Sequence, residues 1–152
     1  MLGNKIVSIS TQGHYDTLAS SPRTIVVREA APLTTSYVPS DSFNIEGANQ
    51  LQLMASFTEG ESKGCKLKIE YSEDGENWYQ ETSVLVYGDT EEAKHKLIVR
   101  SIDSSSNALI STPVWTKYFR VSAAAVDSGE DTSLSITAIA GNIYTGFDII
   151  LP

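Results

Sequence analysis

The chain is poor in the residues that build covalent or catalytic sites. Among its 152 residues Cys65 is the one cysteine, which excludes an internal disulfide and any cysteine-rich zinc site. A half-buried thiol on a strand is the expected fate of Cys65. Histidine is nearly as scarce: His14 falls in a polar N-terminal stretch and His95 in an acidic-basic one. Histidines in such loops are ordinarily solvated surface groups. No serine stands in a Gly-x-Ser-x-Gly elbow, and no glycine-rich phosphate loop occurs. The string Glu91-Glu92-Ala93-Lys94-His95 lacks the first histidine of a His-Glu-x-x-His zinc site and the apolar helix that would carry it. The expectation is therefore no enzyme, no cofactor and no metal.

Long apolar runs are missing too. None approaches the roughly 18–20 residues of a membrane span, and the opening MLGNKIVSISTQG has no apolar core of a signal peptide. Neither membrane insertion nor export by that route is expected. Clustered positive charge is absent as well. Eleven Lys and Arg stand against nineteen Asp and Glu, a formal charge of -8. The basic residues of the most positive stretch, Lys94, Lys96, Arg100, Lys117 and Arg120, are dispersed. A nucleic-acid surface needs bases gathered to displace counterions, so no nucleic-acid partner is expected.

What the chain does have is a period of two. Leu51, Leu53, Ala55 and Phe57 alternate with Gln52, Met54, Ser56 and Thr58, and Leu67, Ile69 and Tyr71 with Lys66, Lys68, Glu70 and Ser72. Phe119, Val121 and Ala123 alternate with Tyr118, Arg120 and Ser122, and Leu134, Ile136, Ala138 and Ala140 with Ser133, Ser135, Thr137 and Ile139. Successive side chains of a strand point to opposite faces, so each run predicts one buried and one wetter face. Thr24–Arg28, Ser83–Tyr87 and Leu97–Ser101 are shorter strand candidates rich in β-formers. Helix signals are nearly absent. Asp89 to Lys96 could cap a single turn, but its lack of apolar residues favours a polar loop. Polar turns containing Gly, Asp, Ser and Asn separate the runs. The pattern predicts an all-β fold, an antiparallel, jelly-roll-like β-sandwich.

The first forty residues carry three of the five prolines, Pro22, Pro32 and Pro39. Proline cannot donate to a ladder, so residues 1–39 are expected to form an extended N-terminal arm or edge strand. Residues 40–152 would then form the sandwich. The apolar C-terminal tail, Gly146 to Pro152, is expected to dock on its own sandwich or on a neighbour.

Two acidic turns, with Glu73, Asp74 and Glu76 in one and Asp127, Glu130 and Asp131 in the other, offer oxygens that a hard cation such as calcium prefers. Neither matches the twelve-residue calcium loop, and turns of a sandwich are acidic simply because they face water. The aromatic residues are more telling. Trp78 and Tyr79 are adjacent and so must face opposite ways, one toward the core and one outward. Together with Trp115 they are the candidate contacts for a glycan or a protein partner. The structural reading of Trp78 is a cap on the end of the sandwich.

The string Leu67-Lys68-Ile69-Glu70-Tyr71-Ser72-Glu73-Asp74-Gly75-Glu76-Asn77-Trp78-Tyr79 resembles a strand, turn and return strand of two groups of proteins. One is the small β-sandwich virion proteins of tailed phages, which decorate heads or build necks and tails. An alternating strand like Leu51–Phe57 precedes the turn in them, and a Tyr-Phe-Arg-Val segment like Tyr118–Val121 leads to a last alternating strand like Leu134–Ala140. The likeness spans residues 40–142 or thereabouts. It implies a non-enzymatic late protein, a capsid decoration or cement subunit located in the virion and assembled in the host cytoplasm. Its partners would be itself, as a homo-oligomer and by analogy a trimer, and the major capsid or other virion proteins. The second group is the discoidin-like carbohydrate-binding jelly rolls, which share the Tyr-Ser-x-Asp-Gly-x-x-Trp string and imply a glycan-binding or adhesion module. The chain lacks their upstream Trp-x-x-Val-Asp-Leu-Gly strand and their terminal cysteine pair, so no sugar-contacting residue carries over.

Overall fold

A computed structural model of the chain describes residues 22–86 and 93–142. These residues form twelve strands: β1 (Arg23–Ala31), β2 (Val38–Pro39), β3 (Phe43–Asn44), β4 (Gln50–Thr58), β5 (Cys65–Ser72), β6 (Tyr79–Gln80), β7 (Thr82–Val86), β8 (Ala93–Leu97), β9 (Arg100–Ile102), β10 (Ser106–Pro113), β11 (Tyr118–Ala125) and β12 (Ser133–Gly141). Sheet A is ordered β1-β12-β4-β10, and sheet B is ordered β2-β11-β5-β6, with β3 also on β11 and β9 also on β5. Every pairing is antiparallel. The fold is the antiparallel β-sandwich that the alternation predicts.

The period of two decides which side chains meet between the sheets. Leu51, Leu53, Ala55 and Phe57 of β4 are buried, as are Leu134, Ile136, Ala138 and Ala140 of β12. Leu67 and Ile69 of β5 and Phe119, Val121 and Ala123 of β11 join them in one core. Burying a side chain of this size contributes roughly 1.5–3 kcal/mol, so the four long alternating strands supply most of the driving force. Cys65 departs from expectation. It is fully buried rather than half-buried, because its partners in the ladder, Ala125 and Ile102, flank it on both sides.

Prolines punctuate the N-terminal strand. Pro22 precedes β1, Pro32 follows it and Pro39 ends β2. β1 lies at the edge of sheet A and breaks register between Val26 and Arg28 and again between Arg28 and Ala31. Such bulges leave carbonyls without ladder partners, and the Arg28 guanidinium donates to the carbonyls of Leu134, Ala31 and Pro32 at 3.1, 3.2 and 2.7 Å.

Two segments differ from the sequence expectation. Ala93–Leu97 lies in a strand rather than a polar loop or a turn of helix, because it pairs along its length with β7, His95 opposite Val84. Ser106–Pro113, which carries no clear alternation, is a full edge strand of sheet A. Residues 1–21, 87–92 and 143–152, and with them His14, the cap candidates Asp89 and Thr90 and the C-terminal tail, lie outside the described residues.

Candidate functional site

The aromatic residues singled out in the sequence separate in space. Trp78 is half-buried and lies against the outer face of sheet B, its ring centroid 4.4 Å from the guanidinium carbon of Arg120. Neither Trp78 nor Tyr79 enters the core, which contradicts the expectation that one of the pair would. The core position nearby belongs to Phe119, fully buried and packed against Phe43 with centroids 5.6 Å apart and the rings tilted by 36°. Tyr79 pairs directly with Tyr71, so both rings project from the same side of sheet B. Tyr71 reaches inward, whereas Tyr79, on the short outer strand, stays 69% exposed.

Trp115 comes to the same edge from the other sheet. It follows Val114 on the connection between β10 and β11. Val114 is buried and donates its N–H to the Asn49 carbonyl at 3.0 Å. That anchor leaves the next side chain, Trp115, 85% exposed. A cavity of about 220 Å³ is lined by Tyr71, Glu81, Pro113, Val114, Trp115 and Thr116.

Tyr71 and Glu81 of this lining belong to a hydrogen-bonded relay that runs on beneath it. Tyr71 Oη donates to Thr112 Oγ1 at 3.3 Å, Thr112 Oγ1 donates to Glu81 Oε2 at 2.9 Å, and Arg100 Nη1 pairs with Glu81 Oε1. Thr112 is 2% exposed. Burial pushes the Tyr71 phenol up to about 12, with the Glu81 charge adding to the rise against the Thr112 hydrogen bond and Arg100. The phenol therefore keeps its proton and its role as donor near neutrality. Backbone bonds hold Glu81 in place: its carbonyl accepts from Ile98 N–H at 2.9 Å, and the neighbouring Gln80 side chain donates to the Ile98 carbonyl at 2.8 Å. These partners come from β5, β9, β10 and the β6–β7 junction. Nothing in their spacing announces that they meet.

In each acidic turn one carboxylate is taken up by hydrogen bonds, Asp74 within its own turn and Asp127 with the turn at Ser62 and Lys63. Asp74 Oδ1 accepts from Ser72 Oγ at 3.0 Å and from the N–H groups of Glu76 and Asn77, each at 2.8 Å, while Oδ2 accepts from Asn77 Nδ2 at 2.7 Å. These donors, the Asn77 and Glu76 N–H groups first, hold the Asp74 carboxyl well below the usual carboxylate range. Asp127 Oδ1 accepts from Lys63 N–H at 2.9 Å and Ser62 Oγ at 3.1 Å, and the Lys63 N–H foremost holds its carboxyl low. Among the described residues no three His, Cys, Asp or Glu are grouped to hold a metal ion. His95 sits exposed on β8, with Nδ1 3.4 Å from Thr82 Oγ1.

The outer faces of the two sheets differ in charge. On sheet B, Lys66, Lys68, Glu70 and Arg120 point outward, with Arg120 Nε donating to Glu70 Oε1 at 2.9 Å and Lys68 Nζ 4.0 Å from the Tyr37 ring centre. On sheet A the register aligns Val26, Thr137, Met54 and Leu109 in one row, and Thr24, Ile139, Gln52 and Ser111 in the next. Ser135, Ser56 and Asn107 form a third. None of these side chains is charged; Glu29 stands at the margin, in the second bulge of β1. Leu109 is 63% exposed, and a shallow depression runs between Met54, Leu109 and Thr137. Sequence reasoning predicted the outward positions of β4 and β12 but not the face, since β10 was not legible as a strand.

No family model and no curated protein matches the chain. Solved structures similar to it include the SPBc2 prophage-derived protein YomS, at 13% identity and a TM-score of 0.49, covering 80% of this chain and 93% of that one. A chain from the infectious bursal disease virus Gx strain is similar at 15% identity and a TM-score of 0.39, with 85% of this chain and 35% of that one covered. The Clostridium thermocellum xylanase 10B CBM22-1-GH10 modules, complexed with xylohexaose, are similar at 10% identity and a TM-score of 0.37, with 82% and 26% covered. Likenesses of this size carry no function across to this chain.

Proposed function

We propose that the chain is a non-enzymatic structural subunit of a phage particle, a capsid decoration or cement protein that assembles through the outer face of sheet A. The observation that carries this reading is the run of uncharged side chains across all four strands of that face in a protein of net charge -8. Copies of so acidic a chain repel one another wherever their charges meet. Burying an unpaired charge is also costly. The face of sheet A meets neither obstacle, and its Val, Met, Leu and Ile side chains gain from leaving water. A second copy is therefore its first occupant. The resulting homo-oligomer would add buried interface to a virion shell and stabilise it by linkage, with no chemistry performed. The resemblance of the Leu67–Tyr79 string to small virion sandwiches supports the same reading.

Light scattering coupled to size exclusion tests it. The wild-type chain is expected to be oligomeric, and Leu109→Glu, at an exposed position that the fold does not need, is expected to return a folded monomer and to abolish co-sedimentation with particles. A wild-type monomer across roughly 1–100 μM, a range that brackets ordinary specific association, together with absence from particles, would refute the assignment.

A further inference from the structure

The two edges of sheet A are built differently. β1 breaks its ladder at two bulges, carries Arg23, Arg28 and Glu29 and is bounded by Pro22 and Pro32. Bulges, charges and prolines are the devices by which a sheet edge avoids pairing with another chain. The edge strands of sheet B avoid it by being short, two residues each in β2, β3 and β6 and three in β9. β10 has none of these protections. It pairs with β4 without a break over eight residues. None of the eight is charged, and the one proline, Pro113, stands at the last position. Among the described residues no strand lies on its other side. The ladder also shows which peptide groups are open. Val114 continues it, donating its N–H to the Asn49 carbonyl at 3.0 Å. Bonded and open positions alternate along an antiparallel strand, so Ala108, Ile110 and Thr112 turn their N–H and C=O groups to β4. Asn107, Leu109 and Ser111 turn theirs to the open edge. Pro113 falls on the same open side, where it leaves the β4 ladder intact.

We propose that the open edge of β10 docks β10 of a second copy, antiparallel about a two-fold axis at Leu109. Leu109 of each copy then exchanges both main-chain hydrogen bonds with Leu109 of the other, and Asn107 of each pairs with Ser111 of the other. A two-fold contact is self-complementary, so a charge on the axis would meet its own like. In a chain of net charge -8, β10 is the long sandwich edge free of that repulsion. The pairing also closes on itself. Each copy presents the blunted β1 at its far edge, so the joined sheet stops at two copies and does not grow into a fibre. The exposed Leu109 side chains, 63% exposed in the single copy, meet at the axis and cover one another. The inference concerns the edge of the sheet and goes beyond the role proposed for its face: it stands whatever larger particle the pair joins.

Amide hydrogen exchange read by ¹⁵N NMR on the full chain, with light scattering on the same samples, tests this. Exchange at Asn107, Leu109 and Ser111 is expected to slow by about tenfold or more as concentration is raised through the association transition. Ala108 and Ile110, already bonded to β4, should change far less; stacking of two faces would not pick out alternate amides. Ser111→Pro removes a donor from the open edge and spares the β4 ladder. It should weaken the dimer by about tenfold or more and return fast exchange at Leu109, with an unchanged circular dichroism spectrum. Asn107→Pro repeats the experiment from the other end of the strand, in case Ser111→Pro does not fold. Met54→Glu charges the outer face away from the edge and should leave the edge-paired dimer in place. Three results would each overturn the inference: fast exchange at the open-edge amides at every concentration; protection there that is independent of concentration, the mark of a chain that covers its own edge; or a dimer that survives both proline variants. An edge-paired dimer absent from phage particles would support the inference and count against the particle role alone.

Discussion

The Trp78 indole lies over the Arg120 guanidinium, 4.4 Å from ring centre to Cζ, while the edge of the same guanidinium is tied to Glu70 at 2.9 Å. One cation thus joins the loop after the acidic turn to the outer surfaces of β5 and β11. The tryptophan that the sequence offered as a ligand contact packs on the outer face of sheet B through that cation. Trp78→Ala is expected to destabilise the fold by about 1 kcal/mol, mostly through the lost cation–π contact. Arg120→Lys should cost a similar amount, because an ammonium cannot stack and fork at once. Urea denaturation of both variants measures this; no change in either would assign the contact no energetic role.

Asp74 makes the acidic turn sensitive to acid. Its folded carboxyl is depressed by the N–H donors of Asn77 and Glu76, so its contribution is fully present above the unfolded carboxylate value of about 3.9. The contribution is lost as pH falls further, toward the folded value. Wild type should be more stable than Asp74→Ala at pH 6, and the gap should close as the solution is acidified from about pH 4 downward. A gap independent of pH would contradict the role assigned to the carboxylate.

The junction before β12 depends on two small residues. Thr132 is buried and its Oγ1 accepts the Leu33 N–H at 2.9 Å while donating to the Gly129 carbonyl at 2.6 Å. Thr132→Val leaves the Leu33 N–H orphaned and should cost about 1–3 kcal/mol, whereas Thr132→Ser keeps the oxygen and should cost less. A Cβ at Gly129 would stand 1.9 Å from the Leu33 carbonyl oxygen, so Gly129→Ala must push the β1–β2 connection away. A loss of roughly 1–3 kcal/mol is expected from such overpacking. Thermal melts of the three variants rank these effects.

Cys65 should be chemically silent in the native state. Burial pushes its thiol up to about 11, and the thiolate is the reactive form. Labelling by a maleimide near neutral pH is expected only at the rate of unfolding, and rapid labelling of the folded chain would contradict its place in the core.

The fold was legible where burial is one-sided. β4 and β12 bury every second residue, as do β5 up to Ile69 and β11 up to Val121, and the alternation names them; beyond Val121 the small Ser122 and Ala124 are buried as well. β10 escaped because its two large apolar side chains are adjacent and face opposite ways, Leu109 outward and Ile110 inward between the small Ala108 and the polar Thr112. β8 escaped because all five of its residues are exposed; hairpin pairing alone makes it a strand. At the candidate site, Trp115 and Tyr79 could be picked out as aromatics. Tyr71, Glu81, Arg100 and Thr112 could not, since only the crossing of chain segments from both sheets brings them together.

The first and last strands of the sandwich are neighbours: Arg23 opens β1 directly opposite Ala140, near the end of β12. Tension applied through the chain at residues 22 and 142 would act on one ladder at one end. It would peel the strands apart a rung at a time instead of shearing all rungs together. The sandwich is mechanically weak along that line. A shell that must withstand internal pressure would do better to load it through the broad faces of its sheets, where every rung shares the stress.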